Sequence, residues 1–282
     1  LATDAVWNNA ASGQMSFLLT AICVGFLAAL RSGRLGLAGF MAAFGILLKI
    51  YPAVMLAAVL FRRKLWPVVF WSSVVIAVAV AATLVVAPMR LFSEYFLGVL
   101  PKLSSQSTTA FYMDGGLSGF VFRWGAERHD WFTHGRVAMP IGLRYGLSIT
   151  TIVVGMSLGA VVARAAPMTS LAAGSALIAL PGITANPTAY VFVASGPIFL
   201  LALKLGWESR HLHSWPGALM PLLLVPLFLP AHTRIPLGHL LPAAVENMAY
   251  ARYTFATLAA STLALYLAAH WDRRTHHHVL GS

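Results

Sequence analysis

The stretch that decides the fold is residues 36–61, which read GLAGFMAAFGILLKIYPAVMLAAVLF. It is long enough to cross a membrane, since a transmembrane helix needs about 20 apolar residues. Lys49 and Pro52 interrupt it, the first with a charge and the second with a ring that removes a helical hydrogen bond and clashes with the preceding turn. The run is therefore either one bent span or two short arms of a broken hairpin.

The positions of the basic residues separate these two interpretations. A single crossing would put the basic loops 31–34 and 62–64 on opposite faces of the membrane, although short basic loops tend to stay on the cytoplasmic face. A hairpin that turns at 49–52 puts both loops inside. Ten of the 19 Lys and Arg residues then lie inside, against Arg234 alone in the short outer loops. We therefore expect a re-entrant hairpin with arms of about 21 and 14 Å, covered by protein or by a wet cavity.

The composition gives the class of protein. The chain has 282 residues, 59% apolar and 10% charged, whereas a soluble domain has about 45–50% and about 25%. So few charges could not cover the surface of a soluble enzyme. The net charge of +11 then reflects cytoplasmic basic loops rather than nucleic-acid binding. Cys23 is the only cysteine, so there is no disulfide framework and no thiolate metal site.

The remaining apolar runs predict further spans. They are 15–30, 66–87, 139–163, 168–183, 188–205, 216–230 and 249–270. We therefore predict an all-α, polytopic transmembrane helix bundle of about eight hydrophobic segments, one of them the broken hairpin. We expect residues 1–282 to form a single transmembrane domain with an extracytoplasmic loop at 88–138. In that loop, 91–100 has roughly helical spacing and 117–124 returns to the membrane surface.

Unusual polar residues collect on the outer face in this topology, so any active site should face out of the cytoplasm. They are Asn8, Asn9, Gln14, Lys49, Tyr51, Asp114, Arg123, Asn186, His232, Arg234, His239, Glu246, Asn247 and Arg252. Lys49 is the most informative, because a lysine in a hydrophobic run usually marks a partner or a pathway. A lipid phosphate in the outer leaflet would satisfy it. The alternative is a lysine that snorkels to the interface beside a proline bend.

Acids and metal ligands are few. Asp114 or Glu246 could act as a general base if it were buried and tuned, or could simply form a salt bridge. His129, Asp130 and His134 are of the residue types that bind metals. Their spacing does not define a site, however, and no third strong ligand accompanies them. We therefore predict no metal site, although a divalent metal as a cofactor stays open.

Residues 6–70 resemble a family of membrane enzymes, the polyprenol-phosphate-mannose-dependent α-1,2-mannosyltransferases of the GT-C fold. The resemblance is fainter at 185–190, where the family often has acidic residues that this chain lacks. The matching motifs are Val6-Trp7-Asn8-Asn9, Gly13-Gln14, Leu37-Ala38-Gly39, Leu48-Lys49-Ile50-Tyr51-Pro52 and Arg62-Arg63-Lys64-Leu65-Trp66.

The resemblance implies a transferase that moves a hexose, expected to be mannose, from a polyprenyl-phosphate donor to an extracytoplasmic lipid or glycan acceptor, with inversion. A carboxylate would remove the acceptor proton and cations would stabilise the departing phosphate. The candidates for the phosphate are Lys49 first, then Arg252, Arg234 and Arg123; those for the sugar or acceptor are Asn8, Gln14, Tyr51 and Asn186. The family's catalytic aspartate precedes the Gly-Gln element, and nothing here matches it. The base is therefore expected upstream of Leu1, in an N-terminal part that is missing.

Together these features predict a multi-pass protein of the cell (inner) membrane, with its active site on the extracytoplasmic face and lipids rather than nucleic acid as partners. One alternative is a transporter or flippase of a lipid-linked sugar, which inverted repeats would support, but we find no internal repeat. Another is a polysaccharide polymerase or ligase. Such enzymes tend to use arginines of a large external loop, and Arg123, Arg128 and Arg136 keep that alternative open.

Overall fold

The computed structural model describes residues 16–49, 51–99, 117–125, 141–185, 188–209, 242, 247–248 and 251–280. Within these ranges the regular elements are helices, and none is a strand. The α-helices are α1 Ser16–Arg31, α2 Leu35–Leu48, α3 Ala57–Leu60, α4 Trp66–Val86, α5 Met89–Ser93, α6 Leu117–Gly125, α7 Ile141–Arg164, α8 Pro167–Ala185, α9 Thr188–Ser209 and α10 Arg252–Leu280. Tyr51–Leu56 and Arg63–Leu65 form 3₁₀ helices, and Glu94–Val99 forms a π-helix.

The predicted all-α helical bundle is confirmed, and most predicted spans agree with helices to within a few residues. The predicted span 216–230 lies outside the described residues. At the C-terminus, α10 continues to Leu280, about ten residues beyond the predicted end. The helix thus includes the basic and His-rich segment that follows the apolar run, because arginine is a good helix former and polar residues do not by themselves end a helix.

The broken hairpin is present, and it turns where the charge and the proline predict. Helix α2 ends because Lys49 takes an extended conformation, with φ −157° and ψ 142°, while its N–H still donates to the Gly45 carbonyl. Pro52 then enters the first turn of the 3₁₀ helix, where a missing N–H costs least. A side chain on Gly45 would bring its Cβ within 2.9 Å of the Pro52 Cβ. The second arm therefore folds back closely onto α2.

The returning arm is longer than predicted. Six of its residues form a 3₁₀ helix, which rises about 2.0 Å per residue, against about 1.5 Å in an α-helix. Residues 51–60 therefore extend over about 18 Å, against about 15 Å for the same ten residues in an α-helix. Met55, Ala58 and Val59 on this arm are fully buried, which confirms that protein covers the broken segment.

Several loops meet at one end of the bundle, which we name the basic end. Arg31 Nη1 donates a hydrogen bond to the Pro167 carbonyl at 3.2 Å, and the Arg164 guanidinium lies 5.7 Å from the centre of the Phe61 ring. The carboxylate of Asp272 accepts hydrogen bonds from the N–H groups of Met168 and Thr169 and from the Thr169 hydroxyl, at 2.7–3.2 Å. The turns after α1, α3 and α7 and the distal part of α10 therefore share this end.

The opposite end, which we name the Lys49 end, is where α2 finishes and α9 begins. There Leu48 packs against the buried side chains of Leu19 and Ala194. The loop that leads to α5 also leaves from this end, because α4 runs away from the basic end.

Helix α8 lies at the centre of the bundle. It contacts α1, α6, α7, α9 and α10 as well as the hairpin, and every residue from 172 to 180 is buried. Four of these residues are alanine, and such small side chains let neighbouring helices approach closely in a membrane.

Helix α4 shows the opposite pattern. Large apolar side chains along it are open to the surroundings, and Val85 is 88% exposed. Segments Arg63–Val86 and Tyr145–Arg164 are long and apolar enough to cross a membrane, while Ser16–Arg31, Leu35–Leu48 and Pro167–Pro181 are shorter apolar helices. An apolar surface of this size is typical of a protein that faces lipid.

The contact between α7 and the returning arm depends on Gly159. A Cβ at this position would lie 2.6 Å from the carbonyl carbon of Ala57. We expect Gly159→Ala to lower the stability of the purified protein by about 1–3 kcal/mol through overpacking, measured as a drop in the melting temperature in detergent. Gly146, on the same helix, has open space around its Cβ position. Gly146→Ala should therefore leave the melting temperature unchanged or raise it slightly; equal melting temperatures for the two variants would contradict the packing.

Candidate functional site

Lys49 lies at the C-terminal end of α2 and at the entrance of the returning arm. Its side chain is exposed, and its backbone is extended rather than helical. A cation at this position also interacts favourably with the negative end of the helix dipole. The structure thus places Lys49 at the surface, where the helical hairpin is interrupted. Both a phosphate-binding lysine and a snorkelling lysine fit that position.

Among the predicted site residues whose burial the structure describes, Arg123 is the most deeply buried, with 1% of the residue exposed. Its Nε donates a hydrogen bond to Asn247 Oδ1 at 2.7 Å. The Asn247 side chain is equally buried, and its Nδ2 donates in turn to the Phe120 carbonyl at 2.9 Å. The Asn247 side-chain amide is therefore hydrogen-bonded both to a side chain and to the backbone of α6.

Aromatic packing completes the docking of α6. Phe120 meets Phe255 of α10 edge to face, with ring centres 5.0 Å apart, while Trp124 on the same helix is largely exposed. Burying a guanidinium is costly unless it is hydrogen-bonded and paired, so its burial here marks a structured site rather than a loose loop. Helix α6 is thus fixed against the start of α10, at the Lys49 end.

A line of buried hydroxyl groups continues from this pair into the bundle. Ser195 of α9 and Thr257 of α10 are hydrogen-bonded to each other at 2.7 Å. Thr254 is also fully buried, and the Ser261 hydroxyl donates to the Thr257 carbonyl at 2.8 Å. Interhelical hydrogen bonds of this kind contribute on the order of 1 kcal/mol in a membrane. Their position extends the polar region of the Lys49 end inward between α9 and α10.

Most other predicted site residues cannot be placed. Tyr51 and Arg252 begin the first 3₁₀ helix and α10, respectively, but only their backbones are described. The remaining candidates, which lie outside the described residues, are Asn8, Gln14, Asp114, Asn186, Arg234 and Glu246. The structure therefore brings Lys49 and Arg123 to the same end of the bundle, and the other assignments stay predictions.

The described acids are Glu94, Glu208 and Asp272. Glu94 is exposed and forms an ion pair with Arg90 at 2.7 Å. Glu208 lies near the end of α9 and Asp272 caps the start of α8, so both belong to the basic end. Among the residues described, no group of three or more His, Cys, Asp or Glu could hold a metal ion.

Sequence reasoning did not foresee the roles of Asn247, Ser195, Thr257 and Asp272. Asn247 was expected on the outer face, but no local pattern could pair it with Arg123, which lies 124 residues away. A usable signal existed in the first half of α10: Thr254, Thr257 and Ser261 recur at helical spacing in its apolar stretch. Polar residues that share one helix face predict a neighbour with matching hydrogen-bonding groups.

The Arg123–Asn247 pair can be tested by a double-mutant cycle. We expect Arg123→Ala and Asn247→Ala to be strongly non-additive in thermal stability, with a coupling of about 0.5–3 kcal/mol, because they share one buried hydrogen bond. Arg90→Ala, which removes an exposed arginine, is the control and should change stability little. Additive effects of the two substitutions would show that the pair does not hold α6.

One comparison with known proteins gives a match. A family model described as GT87, Glycosyltransferase family 87, matches residues 1–187, which is about two thirds of the chain. The matched region contains the broken hairpin, Lys49 and α6. No curated protein and no solved structure matches the chain significantly. The chain therefore belongs to glycosyltransferase family 87, a family of membrane glycosyltransferases of the GT-C type.

Proposed function

We propose that this glycosyltransferase moves mannose from a polyprenyl-phosphate donor to a lipid or glycan acceptor, with inversion at the anomeric carbon. The observation that carries the proposal is the position of Lys49. Within the family match, a lysine sits at the break between two short apolar arms, exposed at one end of a lipid-facing bundle. A lipid phosphate would present its charge at this depth, with its hydrocarbon chain along the bundle.

The chemistry requires two kinds of group. The acceptor oxygen forms a bond to the anomeric carbon while the bond from that carbon to the phosphate oxygen breaks, and a carboxylate takes the acceptor proton. The departing polyprenyl phosphate keeps the electron pair and gains negative charge. A cation near that oxygen stabilises the transition state more than the ground state. Lys49 supplies that cation in our proposal.

The arginines have secondary roles. Arg123 positions α6 over the Lys49 end, since its Nε donates to Asn247 Oδ1. Arg234 and Arg252 remain candidates for the phosphate, as Asn8, Gln14, Tyr51 and Asn186 do for the sugar or the acceptor. For the base, Asp114 and Glu246 are the candidates within this chain, and Glu246 directly precedes Asn247.

We further propose that the Lys49 end faces away from the cytoplasm and that the protein lies in the inner membrane. The support is the charge distribution, because Arg31, Arg34, Arg164 and the 62–64 loop all gather at the basic end and short basic loops prefer the cytoplasm. A donor with its phosphate in the outer leaflet would then meet Lys49.

The alternatives fit less well. Family membership favours a transferase over a flippase. A polymerase or ligase that uses loop arginines is also less favoured, because Arg123 is buried on a docked helix rather than displayed on a loop.

The phosphate role of Lys49 predicts a specific loss of activity. We expect Lys49→Ala to reduce kcat by about 10²–10³-fold, the typical effect of losing one group that stabilises transition-state charge, with an unchanged melting temperature. Transfer of labelled mannose from polyprenyl-phosphate mannose in proteoliposomes measures this, and Lys49→Arg should restore part of the activity. Lys64→Ala is the control, because Lys64 is an exposed lysine at the basic end. Wild-type transfer by Lys49→Ala would remove the proposed role.

The proposed orientation predicts the accessibility of single cysteines. In a Cys23→Ala background, Arg90→Cys should react with a membrane-impermeant maleimide added to intact cells, and Arg63→Cys only after permeabilisation. Both side chains are exposed. Arg63 lies just before α4 and Arg90 just after it, so they are at opposite ends of the bundle. The reverse labelling pattern would show that the Lys49 end is cytoplasmic.

A further inference from the structure

A groove of about 790 Å³ lies between α1, α8 and α9, towards the basic end. This volume lies within the range of ligand-binding pockets. Its walls are mostly apolar and include Val24, Leu27, Leu171 and Leu200. Because Arg31 and Lys204 also line it, the groove belongs to the end of the bundle opposite Lys49 and is separate from the proposed donor site.

The groove is open to the outside of the bundle. Leu200 is 69% exposed, and Val24 is also exposed. In a membrane such surfaces contact hydrocarbon chains, because the bilayer core contains no water. A hydrocarbon chain is therefore the natural neighbour of these walls.

The polar rim of the groove is positive. Arg31 and Lys204 are both exposed, and the bond from Arg31 Nη1 to the Pro167 carbonyl holds the guanidinium beside the groove. The described lining residues include no carboxylate. Glu208 follows Lys204 by one helical turn, but the two form no ion pair and Glu208 does not line the groove.

The nearby carboxylate of Asp272 does not line the groove. Its oxygens accept hydrogen bonds from Met168 and Thr169 at the start of α8, and its side chain is buried. The groove therefore combines an apolar wall with two cations, which is the pattern that recognises the head group and chain of an anionic lipid.

We propose that this groove binds an anionic phospholipid, with an acyl chain on the apolar wall and the phosphate between Arg31 and Lys204. Arginine forms paired hydrogen bonds with a phosphate, and lysine adds a point charge. The lipid would join α1 to α9, an element beyond the region that the family model matches. It would thus stabilise the bundle independently of the donor.

The test is lipid binding by the full chain purified in detergent, measured by native mass spectrometry and by melting temperature. We expect phosphatidylglycerol to bind about tenfold more tightly than phosphatidylcholine with the same acyl chains, and to raise the melting temperature more. The variant Arg31→Ala/Lys204→Ala should lose this preference. The matched control is Arg34→Ala/Arg62→Ala, which removes two exposed cations outside the groove and should keep it.

A second variant tests the apolar wall and does not depend on the charges. Ala28 lines the groove and is exposed, so Ala28→Trp should fill it and weaken phosphatidylglycerol binding by about tenfold. If the charge variant fails to fold, this variant decides the question, and unchanged binding overturns the proposal. Equal affinity for the two lipids, an equal loss in the control, or equal stabilisation by inorganic phosphate would each overturn it as well.

Discussion

Close packing around α8 is the interaction on which the rest of the structure depends. Without water, apolar burial gives little force between helices in lipid, so they associate through contact and through a few hydrogen bonds. Alanines and glycines supply that contact here: Gly174 of α8 sits against Leu27 of α1, and Gly159 of α7 sits against Ala57 on the returning arm. Because α8 is held among its neighbours, the broken hairpin can pack against it and is shielded by protein. Its interrupted backbone is then tolerated in the membrane.

This packing produces a molecule with two different ends. At one end, Lys49 is exposed where the hairpin is interrupted, and Arg123 of the docked helix α6 is buried with Asn247. At the other, arginines and lysines gather around loops, while Asp272 holds the start of α8. Family membership makes the protein a glycosyltransferase, and the two ends suggest a division of labour. In our proposals, a lipid-linked donor reacts at the first end and a membrane lipid binds at the second.

Much of the fold could be predicted from the sequence, because spans are read from local hydropathy. The hairpin followed from one charge, one proline and the positions of basic loops. The length of its second arm did not, because the choice between α- and 3₁₀-helical backbone at 51–56 depends on the neighbours it packs against. The candidate site was only partly predictable. The position of Lys49 has a local signal, whereas the partner of Arg123 lies 124 residues away.

The sequence by itself determined the apolar character of this protein, most of its described helices, the position at which the hairpin breaks and its family, since each depends on composition or on a short motif. Only the tertiary structure decided which polar groups are buried together and which cations remain exposed. The reason is physical: hydropathy is a property of each segment alone, but a hydrogen bond between Arg123 and Asn247 requires two remote segments at 2.7 Å. That distance depends on how α6 packs against the start of α10, and no single segment of the sequence determines this packing.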